Sequence, residues 1–295
     1  MIQRILHFLA ILVLLMPVAV RAQNLQLHTT VFQEEERPYW LYLPENAGPE
    51  TPLVILLHGH GAKAEGYRPE MAALASKEGF ALCLPQGLKD SKSDKSGWNV
   101  GYPVQEGLTR DDVSFVCWLR QHIAREYGIA DKNAFLCGMS NGGEMCYIMA
   151  YRHPDVFNAI ASVAGLTMQW LYKDFRPIAP VAFMEIHGTA DKTSLWEGDP
   201  FNTGGWGEYI AVPLAIGAVA AASRCTYETV EELPRPGEKS NLVVLHRYLG
   251  CDPVHAGGQA AEVRLYEVQG GKHSWALKDM DSCAEIWNFF RTYLR

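Results

Sequence analysis

Five short, uninterrupted apolar runs punctuate the chain, at residues 53–59 (LVILLHG), 80–85 (FALCLP), 134–138 (AFLCG), 159–165 (AIASVAG) and 181–188 (VAFMEIHG). Each has strand length and closes on glycine or proline. Apolarity that is continuous instead of alternating predicts strands covered on both faces, as in a parallel sheet. Helix-like segments lie between them. The segment ending at Tyr127 carries Val113, Val116, Cys117, Leu119 and Ile123 at helical spacing, acids in its first turn and Gly128 beyond its end. Further helices are predicted over GEMCYIMAYRHP, stopped by Pro154, over VPLAIGAVAAAS, and over the final CAEIWNFFRTYL.

This alternation predicts a right-handed, doubly wound α/β sheet, mostly parallel, with helices on both faces. Two places break the pattern. Residues 25–43 read as an antiparallel edge hairpin about an acidic turn at Glu34 to Glu36. Residues 227–233 and 242–249 are strand-like and flank PRPGEKSN, a turn composition. A hairpin about that turn sets Cys225 opposite Cys251 at its open end, where cross-strand neighbours come within disulfide reach.

The N-terminal residues stand apart. Arg4 precedes an apolar stretch from Ile5 to Val20, and Val20-Arg21-Ala22 supplies a cleavage-like end. Residues 1–22 therefore read as a secretory signal peptide, too short and too simply flanked for a membrane span. Residues 23–295 are expected to form a single catalytic domain with no stable membrane anchor, in a secreted or periplasmic protein. Setting aside Arg4 and Arg21 leaves 24 basic residues against 33 acidic ones, which disfavours a nucleic-acid partner. The remaining cysteines, Cys83, Cys117, Cys137, Cys146 and Cys283, sit in apolar surroundings and read as buried, inert thiols whose spacing matches no zinc site. Neither a metal nor a cofactor is expected.

Candidate chemistry centres on AFLCGMSNGGEMCYIMA, residues 134–150, where Gly138-Met139-Ser140-Asn141-Gly142 spells G-x-S-x-G between a strand and a helix. That context marks a nucleophile elbow, with the helix N-terminus facing developing negative charge. A serine nucleophile needs a base, and the base needs an orienting acid. Asp191 follows a predicted strand, and His273 follows EVRLYEV in a loop that two glycines leave free to move. Asp199 and His255 rank second for those two roles. His58 and His187, at strand ends before glycine, read as structural. For the oxyanion, the backbone N–H of Asn141 and that of His60, in HGHG at 58–61, are the candidate donors. Trp98, Trp196 and Trp206 fall in two long irregular stretches, 86–110 and 191–207. Each is placed either to stack on an aromatic acid or sugar, or to bury itself in the core.

With VILLHGHG, GWNVGY, DDVSFVCWLRQHI, CGMSNGGEMCY, IHGTADKT and GGKHSW in view, the chain resembles the polyhydroxybutyrate depolymerase/feruloyl esterase group of α/β-hydrolases, carbohydrate esterase family one. The resemblance extends over nearly all of residues 23–295. It implies a metal-independent, secreted serine esterase with Ser140 as nucleophile, Asp191 as acid and His273 as base. The implied substrates are small esters or polysaccharide-linked esters, feruloyl or acetyl first and polyhydroxyalkanoate oligomers second. A serine peptidase, or a non-catalytic carbohydrate-binding protein on the same scaffold, are the rival readings.

Overall fold

The computed structural model describes residues 25–129, 132–254 and 258–295. The expected signal peptide and His255 lie outside the described residues. Strands β1 (Gln26–Phe32), β2 (Glu35–Tyr42), β3 (Leu53–Leu57), β4 (Ala81–Pro85), β5 (Ala134–Met139), β6 (Ala159–Val163), β7 (Phe183–Gly188), β8 (Tyr227–Glu232), β9 (Val243–Leu249) and β10 (Val263–Val268) form one sheet. Their order is β1-β2-β4-β3-β5-β6-β7-β10-β9-β8. The run from β4 to β10 is parallel throughout, and an antiparallel hairpin closes each edge. This is the α/β-hydrolase architecture, a mostly parallel sheet covered by helices.

Continuous apolarity in the central strands has the anticipated cause. Successive side chains of a strand point to opposite faces, and β3 divides accordingly. Leu53, Ile55 and Leu57 enter the core beneath helices α2 (Asp112–Tyr127), α3 (Asn141–Arg152) and α5 (Val212–Ala222). Val54 and Leu56 enter the other, beneath α1 (Pro69–Glu78) and α6 (Ser282–Phe290). Helix α1 and the short α4 (Gln169–Asp174) were not anticipated. The buried face of α1 consists of Met71 and the small residues Ala72 and Ala75, a weak periodic signal. Its punctuation is orthodox nonetheless, with Pro69 in the first turn and Gly79 at φ 79° after the last.

Both hairpins form, with one adjustment. The first turn is only Gln33-Glu34, both at positive φ, so Glu35 and Glu36 belong to β2 and pair with Phe32 and Val31. In the second, the ladder runs from Tyr227↔Leu249 to Glu232↔Val244, and continuing it outward sets Cys225 against Cys251. The two are disulfide-bonded. Among the free cysteines, Cys83, Cys137, Cys146 and Cys283 are buried and Cys117 is half-buried. Burial pushes the Cys117 thiol up to about 11 and the Cys283 thiol up to about 12, which keeps both unreactive at neutral pH.

The long stretch 86–110 is tied down by a buried polar cluster. Arg37 Nη2 donates to Asp112 Oδ1 at 2.7 Å, while Asp112 Oδ2 accepts from Asn99 N at 2.7 Å and Arg110 Nε at 3.0 Å. A single carboxylate at the start of α2 thus anchors the loop that carries Trp98.

Candidate active site

Ser140 sits at the corner between β5 and α3 with φ 54° and ψ −123°, outside the region where a side-chain-bearing residue is comfortable. Neighbouring glycines explain how the corner is held. A Cβ on Gly138 would lie 2.5 Å from the Gly142 backbone, and one on Gly142 would lie 2.5 Å from the Leu57 carbonyl oxygen. The helix can approach the end of β3 only because those positions lack side chains. Ser140 N donates to Val163 O at 2.8 Å, and Glu144 N donates to Ser140 O at 2.9 Å, closing the first turn of α3. As the first helical residue, Asn141 has a backbone N–H without an intrahelical acceptor, the donor that an oxyanion needs.

The Asn141 side chain has a separate task. Its Oδ1 accepts from Trp98 N at 2.6 Å and its Nδ2 donates to Trp98 O at 3.0 Å. Trp98 itself is fully buried, with Nε1 donating to His58 O at 2.9 Å. It therefore serves as a strut between the 86–110 loop and the end of β3, and as a substrate platform it is excluded by burial. Trp196 is half-buried and packs edge-on to His187, with ring centroids 6.1 Å apart. Trp206 does face Ser140. With His60, Tyr102, Glu144, Leu166, Thr193 and Ser194 it lines a narrow cavity that includes Ser140. Its free volume is about 10 Å³, room for about one water-sized group.

The acid–base side is built on the ends of β7 and β10. His273 Nδ1 bonds Asp191 Oδ2 at 2.7 Å, and Asp191 Oδ1 accepts from Thr193 N at 2.8 Å and Ser194 N at 2.9 Å. Burial alone would disfavour the Asp191 carboxylate. The hydrogen bonds from His273 and the two amides outweigh it and hold the group below the usual carboxylate range. An acceptor fixed in this way leaves the second nitrogen of His273 to face a hydroxyl or leaving group. The glycines before His273 serve close approach more than freedom. A Cβ on Gly188 would lie 2.3 Å from Gly271 O, and Ala190 N donates to that same oxygen at 2.9 Å.

Of the competing residues, His58 is buried, with Nδ1 donating to Gly59 O at 2.8 Å and Nε2 accepting from Gly87 N at 2.9 Å. Burial lowers its pKa, so the ring is neutral and structural. Asp199 accepts from Gly204 N at 2.7 Å and organises its own loop. His187 does more than its position at a strand end indicated. Its Nε2 donates to Ser194 O at 2.8 Å and lies 3.7 Å from Asp191 Oδ2, while its Nδ1 faces Glu185 Oε1 at 2.9 Å. Both ring nitrogens thus meet acceptors. Burial opposes a charge on His187, but Glu185, the Ser194 carbonyl and Asp191 override it and raise the pKa.

Sequence reasoning passed over Glu144 and Glu185. Both are almost completely buried. The available signal was a carboxylate inside an otherwise apolar run, in NGGEMCYIMA and in VAFMEIHG. A buried acid without an obvious partner is rare enough to mark a site.

Fold and site together define the class of carboxylic ester hydrolases built on the α/β-hydrolase sheet. More particularly, the chain belongs to the Esterase PHB depolymerase family, whose profile matches residues 37–230. Among related sequences, NocK of Nocardia uniformis subsp. tsuyamanensis is 27% identical over 245 residues, 79% of this chain and 67% of that one. The bifunctional acetylxylan esterase/xylanase XynS20E of Neocallimastix patriciarum is 23% identical over 255 residues, 86% of this chain but 33% of that protein. The chain thus spans two thirds of the first relative and one third of the second. Among solved structures, an acetyl xylan esterase from Aspergillus awamori superposes with a TM-score of 0.59 at 15% identity, covering 90% of this chain and 99% of that one. A ferulic acid esterase from Anaeromyces mucronatus superposes with a TM-score of 0.58 at 17% identity, covering 93% and 92%.

Proposed function

We propose that this protein is a secreted serine carboxylesterase that removes acetyl or feruloyl groups from plant polysaccharide, with acetyl esters the better fit. The observation that carries the mechanism is the 2.7 Å bond from His273 to a buried Asp191, whose amide partners Thr193 and Ser194 line the same cavity as the strained Ser140. In this reading His273 Nε2 takes the proton as Ser140 Oγ attacks the ester carbonyl. The oxyanion is met by the N–H groups of Asn141 and His60. His273 then protonates the departing alcohol, and the same residue activates the water that releases the acid from Ser140. Asp191 orients the ring and stabilises the imidazolium throughout.

The surroundings favour a small group on one side of the ester. Beside the narrow cavity, and sharing Tyr102 with it, lies an open groove of about 480 Å³ lined by Gln105, Met168, Gln169, Trp170 and Glu208. A narrow space adjoining a broad, amide- and aromatic-lined one suits an acetyl group on a sugar chain. A feruloylated polysaccharide needs room on both sides. Resemblance to the Neocallimastix acetylxylan esterase/xylanase supports the same assignment.

The test compares initial rates on 4-nitrophenyl acetate, acetylated xylan and methyl ferulate for the wild type and Ser140→Ala. The expected order is acetyl above feruloyl, with the variant about 10⁶-fold down in kcat. Turnover that survives in Ser140→Ala sinks the mechanism. A folded wild type that neither turns over an ester nor reacts with a fluorophosphonate belongs to the non-catalytic carbohydrate-binding alternative.

A further inference from the structure

Glu144 lies one helical turn beyond the nucleophile, its backbone N–H bonded to Ser140 O at 2.9 Å. The residue is 1% exposed and stands on the wall of the same cavity as Ser140, His60, Tyr102 and Trp206. Its Oε2 is buried and no hydrogen bond of good geometry reaches it among the described residues, although the Tyr102 and Asn141 side chains lie close enough to act on the carboxyl group. The Asn141 amide on α3 has its strongest ties to Trp98, through both its side-chain atoms. Buried polar atoms are nearly always paired, so an orphaned carboxyl oxygen beside the reacting serine marks a place for an incoming group. Burial pushes the Glu144 carboxyl up to about 8, against the pull of Tyr102 and Asn141, and the nearby Glu185 adds to the rise. At neutral pH it is a carboxylic acid, able to donate one hydrogen bond and accept another.

We infer that Glu144 is a specificity-determining residue that recognises a substrate hydroxyl close to the scissile ester. The inference rests on the esterase reading of Ser140 and adds to it a required chemical feature of the substrate. The partner that suits such an acid, in a space for about one water-sized group, is a hydroxyl, itself both donor and acceptor. It has two chemical sources, a hydroxyl on the acyl chain or a vicinal hydroxyl of the alcohol, on the carbon adjacent to the one that bears the ester oxygen. Apolar or bulky neighbours of the ester leave Oε2 unsatisfied and are discriminated against.

Two matched substrate pairs separate the sources. The acyl arm compares 4-nitrophenyl 3-hydroxybutyrate with 4-nitrophenyl butyrate. The alcohol arm compares ethylene glycol monoacetate with ethyl acetate. The readout is the ratio of kcat/KM, hydroxylated over plain, in wild type, Glu144→Leu and Glu144→Gln. In wild type one arm is expected to give a ratio of about 10 or more. Glu144→Leu brings that ratio toward one, and Glu144→Gln, whose amide also donates and accepts, keeps part of it. A wild-type ratio near one in both arms overturns the inference, as does a ratio that Glu144→Leu leaves in place. Should Glu144→Leu fail to fold, the wild-type ratio and its fall in Glu144→Gln still decide. Turnover of the plain esters that Ser140→Ala abolishes upholds the esterase reading whatever the ratios. Failure of folded wild type on all the esters overturns both.

Discussion

The two halves of the site are held in place by opposite means. At the elbow, Ser140 is fixed by what is missing: Gly138 and Gly142 lack the side chains that would strike the Gly142 and Leu57 backbones at 2.5 Å. On the other side, Asp191 is fixed by what is present, two amides, His273 and the buried pair of His187 and Glu185. The glycines that permit this approach stand together in one short motif, whereas the polar network draws its members from separate stretches that only the fold brings together. The difference predicts how each half fails. Damage to the elbow is damage to the fold, and damage to the network is first damage to the chemistry.

Asp191→Asn is the strongest test of that division. The amide cannot supply the second carboxylate lone-pair site and favours the wrong tautomer of His273. A fall of about 10⁴-fold in kcat is expected, with the melting temperature shifted by a few degrees at most. Circular dichroism melts beside steady-state rates check it. An Asp191→Asn protein that is inactive because it is unfolded would make the network structural and erase the contrast.

Gly142→Ala tests the elbow in the opposite direction. The added methyl meets backbone atoms of Leu57 and His58, which cannot swing aside as a side chain can. A loss of about 3 kcal/mol is expected, the upper range for overpacking, read as a lower urea midpoint at unchanged slope. Activity then falls in proportion to the folded fraction. A fully stable Gly142→Ala would mean that α3 can retreat from β3, and the strain at Ser140 would need another support.

This contrast also explains what could be read from sequence. The elbow was legible because G-x-S-x-G between AFLC and GEMCYIMA encodes both the turn and its flanking elements. The β8–β9 hairpin was legible because PRPGEKSN fixed the register that joins Cys225 to Cys251. Asp191 and His273 were legible as a pair through their order after two strands. The fate of the tryptophans was not. Trp98 and Trp206 stand in similar Gly-rich surroundings, and it is bonds to Asn141 and to the His58 carbonyl that send one inward while the other faces Ser140. Helix α1 escaped notice because its buried face is largely alanine. Glu144 and Glu185 were visible as anomalies in apolar runs, but the run alone does not say that Glu185 meets His187 along β7 or that Glu144 lines the cavity of Ser140.

Glu144 belongs to the elbow by position and to the polar network by chemistry, and its titration tells which governs it. Its folded pKa of about 8 lies above the unfolded value of 4.5. Between those values the native state holds a proton that the unfolded state has released, so stability falls as pH rises through the window. It is fully retained below the lower value and levels off above the upper. The expected loss attributable to this group is about 2 kcal/mol, after allowing for relaxation around a buried acid. Thermal melts of wild type and Glu144→Gln at pH 5 and pH 8 should converge at the lower pH and favour the variant at the higher. Parallel curves would assign the slope to other groups.

The smallest effect separates charge from geometry beneath Asp191. His187 lies 3.7 Å from Asp191 Oδ2, but it anchors Ser194 O, and Ser194 N in turn holds Asp191. If geometry dominates, an amide at position 187 that still reaches Ser194 preserves most of the alignment. His187→Gln alone also strips Glu185 of its ion-pair partner and leaves it only the Gly165 amide at 3.3 Å, and a buried carboxyl without its counter-charge is costly in itself. The informative comparison is therefore His187→Gln against the double variant Glu185→Gln/His187→Gln, which removes both ionisable groups together. We expect the single change to lower kcat about tenfold and the double change to lower it less, with much of the stability recovered. A double variant worse than the single would mean that the ion pair itself sets the electrostatics of Asp191. The acid–base side would then depend on buried charge, and the contrast with the elbow would be sharper than hydrogen bonds alone make it.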